Sequence, residues 1–93
     1  MIREVLFEIP HIKFVILDDG KYCLVVEDTE LNDYVEDFIY ENGIEIENVS
    51  LDNENGLSIY YNYFEGNLEA EKLIVALKKF DVKEVEAIFK INN

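Results

Sequence analysis

The sequence predicts a single α+β domain, and three observations predict it. Short segments rich in β-branched and aromatic residues lie between turn signals, as strands do. Two other stretches repeat their apolar residues at helical spacing. The chain has 93 residues, 49% of them apolar and 31% charged, which suits one globular core and is far from a disordered composition.

The elements follow in order. Val5 to Ile9 is a short apolar segment with strand character, ended by Pro10, which marks a bend. Ile12 to Leu17 is a strand. Asp19-Gly20 signals a hairpin turn, and Tyr22 to Glu27 is the return strand. Asp28 or Thr29 can cap a helix by accepting a bond from a free backbone N–H. In that helix Leu31, Tyr34, Val35, Phe38 and Ile39 form one apolar stripe, and Gly43 supplies a left-handed stop. Ile44 to Leu51 begins as an apolar/acidic alternation. Val49 and Leu51 then fall on the opposite parity, so a bulge near Asn48 is expected. Asn53-Glu54-Asn55-Gly56 is a turn, and Leu57 to Phe64 is an aromatic strand. A second helix follows Gly66-Asn67, with Ala70, Leu73, Ile74 and Leu77 as its stripe. Val82 to Ile91 is expected to be a last strand with Val85, Ala87, Phe89 and Ile91 on one face.

From Tyr22 onward the expected order is β-α-β-β-α-β. This resembles the ferredoxin-like plait, an antiparallel sheet with two helices on one face. Residues 22–93 would form the plait, and residues 1–21 would add one or two N-terminal strands at the sheet edge. The resemblance is to an architecture that serves many functions, so function has to be argued from surfaces.

Charge excludes more than it assigns. Eight bases against 21 acids give a net charge of −13. From Tyr22 to Glu71 there are fourteen acids and no base. Such a field repels nucleic acid and anionic membranes and draws in basic surfaces. No apolar run approaches the ~20 residues of a membrane helix, and the N-terminal stretch carries acids among its apolar residues, unlike a signal peptide. Cys23 is the only cysteine, so no intrachain disulfide can form. A cytoplasmic protein is expected.

No catalytic, metal or cofactor site is expected. Cys23 lies inside a strand and His11 in a bend, which suits a buried thiol and a solvated ring better than a nucleophile and its base. The four glycines are isolated, so no phosphate loop exists. Asp52-Asn53-Glu54-Asn55-Gly56 fails the calcium-loop spacing, since positions six and twelve hold Leu57 and Tyr63. Small metal-dependent nucleases of the plait fold, including those associated with CRISPR systems, place an acid where Glu27 and Asp28 stand. They open directly with that strand, however, and need nearby bases to hold a phosphate backbone, which this chain lacks. Acylphosphatases share the plait and need a loop arginine, whereas Arg3 is the sole arginine and lies outside it. RNA-recognition domains stack bases on a central strand, but the Lys/Arg-Gly opening of their motif is missing before the aromatics of Leu57–Phe64.

Two surfaces remain as binding candidates. At 100° per residue, Glu30, Asp33, Asp37 and Glu41 fall within roughly 80° of arc, with Tyr40 near the edge of the same face. Like charges at these spacings destabilise a helix, and no lysine offsets them, so a basic partner would give the stripe a purpose. Glu45 and Glu47 are expected to extend it. In the aromatic strand, Leu57, Ile59, Tyr61 and Tyr63 are expected toward the helices, leaving Tyr60 and Phe64 as a sheet-face interface. The expected function is therefore a partner-binding inhibitor that occupies a basic, nucleic-acid-binding surface of another protein. An immunity protein against a nuclease toxin, or a phage nucleic-acid mimic such as an anti-CRISPR or antirestriction protein, would act in this way. The alternative is a homodimer of small-molecule-sensing regulatory domains joined through the sheet, and a third reading, ranked behind both, is a metal-dependent nuclease at Glu27 and Asp28.

Overall fold

A computed structural model describes residues 1–92. The elements are β1 (Ile2–Ile9), β2 (Ile12–Leu17), β3 (Tyr22–Glu27), α1 (Thr29–Glu41), β4 (Ile46–Glu54), β5 (Leu57–Phe64), α2 (Ala70–Leu77) and α3 (Val82–Asn92). The five strands form one sheet in the order β1-β2-β3-β5-β4, with every neighbouring pair antiparallel.

Local chemistry explains most boundaries. Gly20 adopts a positive φ in the β2–β3 turn, where its N–H donates to the Leu17 carbonyl at 2.9 Å. Asn55 and Gly56 both adopt positive φ, the conformation a two-residue hairpin turn demands, and β4 turns there into β5. α1 begins at Asp28, whose carboxylate accepts the Leu31 N–H at 3.1 Å. It ends where Ile44 N–H reaches back to the Ile39 carbonyl and Gly43, at φ 75°, N–H to that of Tyr40. The bulge expected near Asn48 coincides with a register shift between Ile46 and Asn48.

All three helices lie on one face of the sheet. One buried cluster joins Ile12, Phe14, Leu24, Val26 and Phe64 of the strands to Leu31, Val35 and Ile39 of α1, Leu73 and Leu77 of α2, and Val85 of α3. Phe80, between α2 and α3, packs its ring at a tilt against Tyr34 and Phe38 of α1.

Two expectations are corrected. Val82–Asn92 is a helix, so the chain after β5 reads α-α and the βαββαβ order does not hold. In a plait the last strand pairs with the first. Here β2 occupies that place beside β3, antiparallel to it, and leaves the C-terminal segment no interior position in the sheet. Of the four residues expected on one strand face, Val85 is fully buried, whereas Ala87 is exposed and Ile91 is 68% exposed. A start signal was present at this helix. Asp81 accepts the Lys83 N–H at 2.9 Å and Glu84 follows three residues after it, the spacing of a capping box.

The second correction concerns β5. Its even-numbered residues face the helices. Asn62 bonds Asn32 of α1 at 2.9 Å, Tyr60 bonds Thr29 at the start of α1 at 2.9 Å, and Phe64 is 3% exposed against Phe14. Tyr60 and Phe64 therefore belong to the helix side, and Ile59, Tyr61 and Tyr63 lie on the helix-free face. The cause is the buried polar pair Asn32–Asn62. It puts an asparagine at a core position and displaces the apolar parity by one.

Replacing Asp81 by Ala should cost about 1 kcal/mol through loss of the α3 cap. Urea unfolding of the variant checks this. An unchanged midpoint would contradict the cap.

Candidate functional site

α1 carries the first candidate surface. Its inner face buries Leu31, Asn32, Val35 and Ile39. Glu30, Asp33, Asp37, Tyr40 and Glu41 are all exposed on the opposite side. The carboxylates succeed one another at rises of about 4.5–6 Å along the axis. Among the described residues the ion pairs are Met1–Asp18 and Lys13–Glu8, and the His11 ring contacts Glu27, so none of these helix acids is neutralised. The last turn holds Glu41 and no base, against the preference of the helix dipole for positive charge there. Glu45 and Glu47 are exposed too, but on a different element: Glu45 precedes β4 and Glu47 sits at its register shift.

The negative field reaches neighbouring groups. Burial pushes the Tyr34 hydroxyl above its usual pKa, and Glu84, by charge and hydrogen bond, adds to the effect, as do Asp81 and Glu41. Burial does the same to Tyr61, followed by the charges of Glu54 and Asp52.

β4 forms one outer edge of the sheet and is exposed along nearly its whole length. Val49 pairs with Asn62 and Leu51 with Tyr60, so both side chains stand on the helix side. They remain 40% and 56% exposed.

The helix-free face carries a shallow trough of about 820 Å³, lined by Lys13, Val25, Glu27, Ile59, Tyr61 and Glu54 among others. At one end His11 donates from Nδ1 to the Glu27 carboxylate at 3.0 Å and stacks on Phe89 of α3 at 3.6 Å between ring centroids. His11 is thus a packed, hydrogen-bonded ring and not a solvated turn histidine, and this contact pins α3 to the β1–β2 turn. Nothing local in the sequence announces it, because the partners are 16 and 78 positions away.

Glu27 and Asp28 do not converge on one point. Glu27 serves His11, while Asp28 is buried and caps α1. Asp28 adopts φ 93° and ψ 140°, a region favoured by glycine, and its N–H donates to the Ser58 carbonyl at 2.7 Å. No group of three or more His, Cys, Asp or Glu among the described residues is placed to hold a metal ion. Among the described residues no helix is long and apolar enough to cross a membrane. Comparison with protein-family models, with curated proteins and with solved structures finds no match for this chain.

Cys23 lies on the helix-free face, yet its neighbours cover it completely. Burial pushes its thiol up to about 12, with a hydrogen bond from the Asn62 backbone pulling weakly the other way. The thiol form is therefore favoured in the folded state. Its contribution to stability is present below the unfolded pKa of ~9 and is lost as pH rises from there toward 12. Cys23 should not react with a disulfide reagent at pH 8 until the chain unfolds, and Cys23→Ala should flatten the alkaline loss of stability between pH 9 and pH 11. Rapid labelling of the native protein would contradict this burial.

Proposed function

We propose that this chain is a stoichiometric inhibitor that binds a basic protein and covers the surface with which that protein grips nucleic acid. The observation that carries the reading is the exposed, unneutralised row Glu30, Asp33, Asp37 and Glu41 on one rigid helix. Its spacing is comparable to that of phosphates along a nucleic-acid strand, so a basic groove shaped for phosphates can accept it. Tyr40, 51% exposed at the edge of the row, supplies an amphipathic anchor of the kind enriched at binding hot spots. Glu45 and Glu47 extend the field beyond the C-terminal end of the helix. Inhibition is steric and electrostatic, with no turnover and no cofactor. Association is fast and weakens with salt. The chemistry is the same for an immunity protein that neutralises a nuclease toxin and for a phage-encoded mimic of the anti-CRISPR or antirestriction kind.

A second reading has its own support. The trough on the helix-free face, with Val25, Ile59 and Tyr61 in its lining, would suit a dimeric regulatory domain that holds a small molecule between two sheets. That reading requires a homodimer whose stability is insensitive to salt.

The test compares wild type with Asp33→Lys/Asp37→Lys/Glu41→Lys. The triple variant keeps repulsion among the three new lysines, but it pairs Glu30 and Glu36 with a lysine at position 33 and places positive charge in the last turn of α1, so it should be at least as stable as wild type in urea. Wild type should recover a basic nucleic-acid-binding protein from native-source lysate, and the variant should not. Equal recovery by both, or a salt-insensitive homodimer with no basic partner, sinks the inhibitor reading.

A further inference from the structure

We propose that the free edge of β4 is a docking strand, and that its occupant is an extended segment of the basic partner with Lys or Arg at alternate positions. This rests on the reading above that the partner is basic, and it adds how the partner is held.

The two edges of the sheet are unequal. Pairing of β1 with β2 is interrupted by register shifts at Ile2/Glu4 and at Val5/Phe7, which blunts that edge for a further strand. β4 keeps an unbroken register from Asn48 to Glu54. Its two-residue turn makes Glu54 and Leu57 a hydrogen-bonded pair, and bonded and non-bonded pairs alternate from there. Val49, Leu51 and Asn53 fall at the non-bonded positions, so their N–H and C=O groups point away from β5. Two hydrogen bonds agree with this assignment. Val49 N–H donates to Asn48 Oδ1 and Asn53 N–H to Asp52 Oδ1, each at 2.9 Å, so neither is spent on β5. Such short-range shields discourage chance pairing, and the carbonyls of an incoming strand can replace them.

The side chains on this edge suit an amphipathic strand. Val49 and Leu51 present apolar surface on the helix side. They stand next to the flank of α1 that bears Thr29 and Asn32, since these bond Tyr60 and Asn62, the neighbours of Leu51 and Val49. The other flank, with Tyr34 and Phe38, is occupied by Phe80. Helical spacing puts Glu36 and Tyr40 on the open flank as well. A strand laid along β4 would set its apolar side chains on Val49 and Leu51 beside α1 and its cationic ones on the opposite face, next to Asp52 and Glu54.

Charge decides between a basic segment and a second copy. Antiparallel pairing of two β4 edges would bring the Asp52 and Glu54 carboxylates of both copies along one seam, and each chain carries −13. A cationic strand meets these groups as partners.

The probe is a capped eight-residue peptide alternating Lys with Thr and Val, added to isotope-labelled full-length chain at low salt. Exchange of the Val49, Leu51 and Asn53 amides should slow on binding. Leu51→Pro removes an outward N–H that β5 does not use, so the β4–β5 ladder survives and peptide affinity should fall about tenfold. Val49→Lys/Leu51→Lys leaves the backbone unaltered and should weaken binding at least as much, which guards against misfolding of the proline variant. Perturbation confined to α1, with β4 amides unprotected, would overturn the docking strand while leaving the inhibitor reading intact. Absence of binding, affinity indifferent to both variants, or concentration-dependent self-association abolished by Leu51→Pro would overturn it as well.

Discussion

The fold depends on β3 being paired on both sides. β2 lies along one side through a tight hairpin, and β5 along the other after α1 and β4 have intervened. Once β2 holds its place, the sheet can grow only beyond β1 or β4. The C-terminal third then closes the core as helices. Leu73, Leu77, Phe80 and Val85 fill the space above Phe14 and Leu24 from the same side as α1. The buried bridge from Asn62 to Asn32 and to the Leu24 carbonyl fixes how α1 sits on this double pairing. A rigid α1 is in turn what holds four carboxylates in a row.

Charge and fold meet on the β4 side of the molecule. The core supports α1 through its inner face and leaves the outer face to solvent. The strand that follows α1 is an edge strand and carries little of the core. The like charges on α1 cost the fold a few tenths of a kcal/mol per repelling pair, and no ion pair among the described residues offsets them. The basic partner proposed above would give this acidic surface its use.

Much of this was legible in the sequence where the signal was local. Asp19-Gly20, the Asp28 cap and the Leu31–Ile39 stripe each act within a few residues, and each stands where expected; the turn expected over Asn53–Gly56 narrows to Asn55-Gly56, because Asn53 and Glu54 still pair with β5. The slip in β4 was legible for the same reason: Ile46 and Val49 cannot share a face without a shift. The C-terminal segment was legible only in the start signal at Asp81 and Glu84, and its apolar pattern did not decide, because Val85 and Phe89 satisfy strand and helix spacing equally well. What separated the two was the occupancy of the position beside β3, a long-range fact. The sidedness of β5 was hidden by Asn62, a polar residue in the core whose partner lies 30 positions away. The acidic row of the candidate site could be read directly. The openness of the β4 edge, the His11–Glu27–Phe89 contact and the trough depend on tertiary placement and could not.

The central claim is that this chain competes with nucleic acid for one basic surface. The most direct measurement titrates the chain into a complex of its partner with a labelled nucleic acid and follows release of the label at two salt concentrations. The account predicts release that saturates at one equivalent of chain and an affinity that falls steeply with salt. Nucleic acid that stays bound in the presence of excess chain, or a ternary complex of all three, would contradict it.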